Sequence, residues 1–462
     1  VVDERIQVHG MSTARPREHG TAVVIGGGLA GMLAAWALRG AAERVIVLER
    51  DVYPDQPVFR PGVPQARHGH LLLEGGHRRL EAFMPGVRAE LLARGAVLVA
   101  MSGELRWRTS AGPMADHHTD LAFLSCPRPL LDHVVRTRVC DPPSQTIDGT
   151  VIEVVQGAEV VGLLGTDRAV TGVRIRRRGQ VTQSRQPAEL VVDASGRGTR
   201  LPRWLAALGC APLPTDVVDA GVAYTSRIVY RPLNSLLGCS ALYVQATREQ
   251  PWTGAVLPIS KDRWIVSLGG MRGHEPASGD KGFATMLSQL QQREPLLADM
   301  LHEAEPAGEV WGFRPGPSTR RHVGTRGTPE GLVALGDAHT CLNPVYGQGM
   351  TTTIDAAIGL RAAAQRYRDI GPRTSRAARA AITAASAAAW MMSTAEDGRY
   401  QGTVNAPTGP LIRAQHRYLD QVLARATTDP RVAHAFERVM SLIDPPATLL
   451  RPSILAPVLL RH

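Results

Sequence analysis

The sequence predicts an α/β protein with an inserted antiparallel β-sheet and a helical C-terminal region, and three observations predict it. Two strand–turn–helix stretches with glycine at the turn lie near opposite ends of the chain, at 23–38 and 331–360. Between them, 217–230, 240–247, 254–259 and 263–270 are rich in β-branched and aromatic residues and are separated by turn-rich segments, as antiparallel strands are. Beyond residue 370 the pattern is mainly helical. At 462 residues, 44% of them hydrophobic, the chain can build two or three structural units around a sizeable core.

The first stretch reads VVIGGGLAGMLAAWALRG from Val23. Val23, Val24 and Ile25 predict a strand, 29–38 a helix, and 44–48 a second strand ending at Glu49. Gly26, Gly28 and Gly31 stand at G-x-G-x-x-G spacing, the first for a tight turn, the second for close approach of a pyrophosphate, the third for helix–strand packing. Glu49 stands where an acid bonds ribose hydroxyls. A lone glycine triplet says little, but strand, helix, second strand and acid in this order define a Rossmann-like dinucleotide-binding unit.

The second stretch, GLVALGDAHTCLNPVYGQGMTTTIDAAIGL from Gly331, starts with the apolar run 332–335, stops at Gly336 and presents Asp337 at the end of a strand. Pro344, Gly347 and Gly349 give a rigid turn with exposed backbone, and 351–360 is helical. The free amides at 347–350 therefore lie at a helix N-terminus, which favours negative charge. Asp337 is placed to hold a polyol chain. Alone, the same residues also make an ordinary capped strand–turn–helix.

Three further segments bear on a site. In PGVPQARHGHLLLEGGHRRLEAF from Pro61, Gln65, Arg67, His68 and His70 crowd the start of a helix expected at 71–83, either to meet a ligand or as a surface turn. A helix at 126–139 opens on Pro127, Arg128 and Pro129, and Arg128 could reach a phosphate or cap its neighbours. AELVVDASGRGTR, 188–200, repeats the strand-then-glycine pattern with Ser195, Gly196 and Gly198 in its loop. Three such strand ends can surround one extended ligand.

The net charge of +10 is spread along the chain, so it does not mark a nucleic-acid partner; the one cluster, 174–178, alternates across an exposed strand. Lysine is confined to Lys261 and Lys281. Five scattered cysteines without C-x-x-C spacing suggest no disulfide framework and no metal site, and fit a reducing cytosol. Residues 1–20 read as a disordered leader. The uncharged, alanine-rich 380–395 is shorter than the roughly 20 residues of a membrane span and reads as a buried helix. A stripe of Val432, Ala435, Phe436, Val439, Met440 and Ile443 reads as a packing or interface face and not as a substrate site.

From about residue 21 to 360, these motifs resemble the FAD-dependent group A (aromatic-hydroxylase-like) monooxygenases. The resemblance implies that Gly26, Gly28, Gly31, Glu49 and Arg50 bind the adenosine half of FAD and that Arg67, His68 and Arg128 lie near the cofactor. It also implies that Gly336, Asp337, Pro344, Gly347, Gln348, Gly349 and Met350 hold the ribityl chain and border the flavin ring, Pro344, Gly347 and Gly349 against the ring itself. Where many members have Asp-Gly in the middle motif, this chain has Ser195-Gly196, with Asp193 two residues earlier.

On this likeness the FAD-binding domain comprises 21–103, 121–213 and 329–370, the substrate domain 104–120 and 214–328, and the helical region 371–462. PGVPQARHGH, VVDASGRGTR and GDAHTCLNPVYGQGM together resemble bacterial flavin epoxidases of polyether-antibiotic pathways. They imply oxygen transfer from a flavin hydroperoxide to carbon–carbon double bonds of an apolar polyketide or terpenoid-like substrate, with NAD(P)H as electron donor, molecular oxygen as co-substrate and no catalytic side chain required. Aromatic hydroxylation, prenyl-type reduction and a non-enzymatic nucleotide-binding module are the alternatives. Halogenation is not expected, because no W-x-W pair is present and both lysines fall in the inserted sheet region.

Overall fold

A computed structural model describes residues 20–140, 149–232, 238–325 and 327–460; of the expected leader, only Gly20 falls within them. Five strands form a parallel sheet in the order Leu332–Ala334, Leu190–Asp193, Thr21–Ile25, Arg44–Glu49, Val151–Gln156. The central strands are covered on both faces, so they read as continuous apolar runs. Ala22, Val24, Val45 and Val47 pack against the helices Leu29–Ala37, Arg128–Cys140 and Gly349–Tyr367. Val23, Ile25, Ile46 and Leu48 face the other way, onto a three-stranded antiparallel layer of Ala158–Gly165, Val170–Arg177 and Gln183–Pro187. This is the period-two alternation of a strand. In that layer Arg174 and Arg176 are exposed and Ile175 between them is buried, as alternation requires, whereas Arg177 at the strand's end is exposed as well. Because all five strands run the same way, Ile25, Glu49, Asp193 and Ala334 end at one edge, where α/β sheets bind ligands.

The inserted sheet has seven strands in the order Trp311–Phe313, Ala223–Tyr230, Arg263–Gly270, Trp252–Pro258, Ala241–Val244, Leu105–Thr109, Gly112–Pro113. Leu105–Thr109 joins it parallel to Ala241–Val244. One face packs Val256, Val266 and Leu268 against Phe283, Met286 and Leu290 of the helix Gly279–Arg293. The C-terminal part forms the helices Pro372–Asp397, Pro410–Ala426, Pro430–Met440 and Pro452–Leu459. No helix among the described residues is long and apolar enough to cross a membrane.

Several elements depart from expectation. The helix expected at 71–83 starts at Glu74, because Leu71–Leu72 pairs as a strand with Ala122–Ser125 and the Glu74 carboxylate accepts from Ala122 N. The run 217–230 is two strands: Thr215–Val218 pairs with Ser318–Arg321, then Asp219 Oδ1 accepts from Gly221 N at 2.8 Å in a turn before Ala223–Tyr230 begins. The alanine-rich helix Pro372–Asp397 is only half buried; Ala378 and Ile382 lie in the core, whereas Met391 is exposed at 45%.

Candidate active site

The carboxyl edge of the parallel sheet opens into a cavity of about 1300 Å³, above the roughly 300–1,000 Å³ common for small-molecule pockets. Turns of the parallel-sheet domain form one end. Side chains of the inserted sheet, among them Tyr243, Ala255 and Leu257, and of the C-terminal helices, among them Met392, Leu419 and Phe436, form the other.

At the first end the three motif glycines have distinct surroundings. Gly26 has φ +93°, and a Cβ there would lie 2.8 Å from Ala194 O. A Cβ on Gly31 would overlap the carbonyl of Gly26, so this residue lets the helix seat on its strand and does not line the cavity. Gly28 does line it, with nothing nearer its absent side chain than Arg60 Nη2 at 3.9 Å. The helix Leu29–Ala37 starts there without a side-chain cap or an acidic residue in its first turn, leaving its N-terminal amides to an anion.

Glu49 is 5% exposed and accepts from Gly27 N (2.8 Å) and Asp51 N (2.9 Å), with Arg60 Nη1 at 3.3 Å. Arg60 also bonds Asp51 Oδ2 at 2.9 Å and lines the cavity. It lies in a proline-rich loop without a motif, and no local pattern marks it. Arg50 lines the rim with its side chain largely exposed, and Arg128, bonded to Asp132 at 2.7 Å, also lines the cavity.

At the second strand end, Gly336 (φ +63°) packs against Ala30, where a Cβ would come within 2.8 Å of the alanine methyl. It therefore supports the helix Leu29–Ala37 and does not face the cavity, whereas Asp337, Pro344, Gly347, Gln348, Gly349 and Met350 all do. The helix Gly349–Tyr367 likewise has no side-chain cap and no acid in its first turn, and the space beside Gly349 is open to 4 Å. Gln348 is 1% exposed, and its Oε1 has no hydrogen-bond partner. Two uncapped helix starts, a recessed acid and an orphaned amide oxygen around one cavity fit a long, anionic, hydrogen-bonding cofactor of the FAD type.

The middle loop contributes backbone. Asp193 is fully buried, and its carboxylate accepts from Ser195 N (3.0 Å), Ser195 Oγ (2.5 Å) and Thr199 Oγ1. It folds the loop so that 194–198 lines the cavity. Burial pushes the carboxyl above its usual range, although the three donors oppose this.

The cluster at 67–70 divides. His68 and His70 line the cavity, but Arg67 turns away and lies over the rings of Trp311 (3.5 Å) and Phe59 (5.2 Å). The chain becomes extended at His68, and neighbours along an extended chain point to opposite sides. Arg67, expected near the cofactor, thus stands outside the cavity lining that holds His68 and His70. His68 Nδ1 lies 2.9 Å from Ser226 Oγ, and the ring sits edge-on to Tyr224 at 4.7 Å. Burial pushes both histidines down to about 4. His70 Nδ1 is 2.9 Å from His68 O, a carbonyl that only accepts, so Nδ1 carries the proton and Nε2 is left as an acceptor.

A polar cluster invisible in the sequence ties the turn Pro344–Tyr346 to the helix Pro372–Asp397. Tyr346 Oη (2.8 Å) and Asn343 Nδ2 (2.7 Å) both donate to Asp397 Oδ1, while Asp397 Oδ2 is buried without a partner. Burial pushes Asp397 up to about 6. Beside it, Glu396 lines the cavity and pairs with Arg399 at 2.7 Å. The C-terminal stripe is not only packing: Phe436, Val439 and Met440 line the cavity as well.

The sign of the Asp397 shift gives a test. Between its usual value of 3.8 and about 6 the folded state holds a proton that the unfolded chain has released, so this group's contribution to stability falls as pH rises through that window and is flat outside it. Asp397→Asn keeps the Oδ1 acceptor and removes the titration. In urea melts it should match the parent at about pH 3.5 and exceed it by up to about 3 kcal/mol at about pH 8. A difference independent of pH would contradict this assignment.

The fold is that of the FAD-dependent class A flavoprotein monooxygenases and halogenases: a Rossmann-like FAD-binding domain with antiparallel substrate sheets and C-terminal helices. Residues 21–55 match the family model described as FAD binding domain. The chain is 30% identical over 443 residues to Protein Rv3254 of Mycobacterium tuberculosis (strain ATCC 25618 / H37Rv), covering 93% of this chain and 90% of that protein. It belongs to the same family as Protein Rv3254.

Among solved structures it is similar to the flavin-dependent brominase Bmp2 (TM-score 0.66, 16% identity, 92% of this chain and 93% of that one). It is also similar to the Diels-Alderase PyrE3 of pyrroindomycin biosynthesis (0.61, 19%, 92% and 80%) and to p-nitrophenol 4-monooxygenase PnpA from Pseudomonas putida DLL-E4 (0.57, 17%, 93% and 98%).

Proposed function

We propose that the chain is an FAD-dependent monooxygenase that adds oxygen to a carbon–carbon double bond of an extended, largely apolar polyketide or terpenoid-like molecule. The observation that carries this reading is the continuity of the cavity from the two uncapped helix starts into a chamber walled by Ala255, Leu257, Met392, Leu419 and Phe436. FAD, reduced by NAD(P)H, supplies one activated oxygen atom from O2 to the substrate, the other leaving as water.

The chain's own residues bind, orient and exclude water. The amides after Gly28 meet the pyrophosphate and Glu49 the ribose, while Asp337 holds the ribityl chain. The amides from Gly349 favour negative charge on the flavin's pyrimidine edge. The apolar wall positions the alkene and keeps water from the reacting atoms. Among the described residues no lysine lines the cavity, in keeping with oxygenation over the halogen chemistry of structurally similar proteins.

A second reading, hydroxylation of a phenol, is favoured by the Tyr346–Asp397 pair, because ring oxidation is helped by a group that takes the phenolic proton. Incubation with NAD(P)H, 18O2 and a panel of polyenes and phenols separates the two. Labelled epoxide is the expected product; labelled phenol hydroxyl with the alkenes untouched would replace the first reading by the second, and a product gaining only hydrogen would indicate a reductase.

A further inference from the structure

Away from the cavity lining, the fold brings one side chain of ligand type to two others that lie far from it in the sequence. His117 follows the hairpin of Leu105–Thr109 and Gly112–Pro113, whereas His434 and Glu437 stand one turn apart on the helix Pro430–Met440. One ligand atom from each lies within 4.8 Å of the others. No ligand spacing in the sequence announces this, which is why the cysteine pattern alone suggested no metal.

Glu437 is fully buried, and neither carboxylate oxygen has a hydrogen-bond partner. Its neighbour is His117 Nε2 at 3.0 Å. His117 Nδ1 is 3.0 Å from Ala115 O, so in the neutral ring Nδ1 carries the proton and Nε2 is a bare lone pair. Two acceptors facing each other out of water require a cation between them, either a proton on Nε2 or a metal ion. A proton would suffice for a pair, but a second imidazole, His434, stands with its ring 5.5 Å from that of His117.

We propose that His117, His434 and Glu437 form a binding site for a divalent cation of the zinc type, with water in the fourth position. Two imidazoles and a carboxylate are a zinc donor set, and bonds of about 2.0–2.2 Å require ligand atoms somewhat over 3 Å apart. At 3.0 Å the His117–Glu437 pair stands just inside that spacing, and small side-chain rotations would open it and bring in His434, whose ligand atom lies within 4.8 Å. The Nδ1–H to Ala115 O bond is the support that orients a ligating histidine. Such an ion would clip the loop after the hairpin to the helix that carries Phe436, Val439 and Met440 into the cavity wall.

The test uses tag-free full-length protein, stripped with chelator and titrated with ZnCl2 by calorimetry and thermal melting. The expected result is one zinc per chain with a rise in Tm. His117→Gln, His434→Gln and Glu437→Gln should each weaken binding by more than about 10-fold, since loss of a mere supporting contact costs 10- to 100-fold. The exposed neighbour His118→Gln should leave it unchanged. Should Glu437→Gln fail to fold, the half-buried His434 still decides the question. A folded parent without saturable zinc binding, or binding that survives in both histidine variants, overturns the proposal and leaves a proton-bridged pair.

Discussion

Gly31→Val is expected to yield folded protein that purifies with less than about a tenth of the parent's FAD. The reason is local and steric. A Cβ at this position overlaps the Gly26 carbonyl and approaches Val24 Cγ1 to 3.5 Å, and Gly26 cannot yield because it backs onto Ala194 O. The helix Leu29–Ala37 must therefore lift from its strand, at an overpacking cost of about 1–3 kcal/mol. The lift also carries the uncapped amides at its start away from the place where a pyrophosphate would sit. Flavin absorbance per chain and a thermal melt check both effects. Full flavin occupancy in a Gly31→Val protein would mean that this turn does not hold the cofactor.

Asp337→Ala and Glu49→Ala should each weaken FAD binding by about 10- to 100-fold, corresponding to the roughly 1.5–3 kcal/mol of a charge-assisted hydrogen bond. The two differ in side effects. Asp337 lines the cavity at a strand end, and its loss should leave the melting temperature of the FAD-free protein near the parent's. Glu49 also accepts from Gly27 N and Asp51 N and faces Arg60. Its removal therefore orphans a buried amide and leaves Arg60 to Asp51 alone, so that variant should also be less stable. Fluorescence titration of FAD into the FAD-free proteins measures the first effect. Unchanged affinity in both variants would remove these carboxylates from the site.

The amino-acid sequence by itself determined the two glycine turns, the strands that precede them and the helices that follow. Each is written within about 30 contiguous residues by apolar period and turn chemistry. It likewise pointed to Glu49, at the end of one strand, and Asp337, in the turn just beyond another, as residues at the carboxyl edge of a sheet.

Only the tertiary structure decided which neighbours face the cavity and in what state of charge. It separated Arg67 from His68 and His70, because the chain turns extended there and alternate side chains diverge. It brought Arg60 to Glu49, Asp397 to Tyr346 and His117 to His434 and Glu437, from segments with no mutual spacing to read. It also turned the stripe of Phe436, Val439 and Met440 from a packing face into part of a cavity wall. Desolvation and hydrogen-bond partnership, which push Asp397 up and His70 down, depend on distant parts of the chain meeting out of water, and no local pattern encodes that meeting.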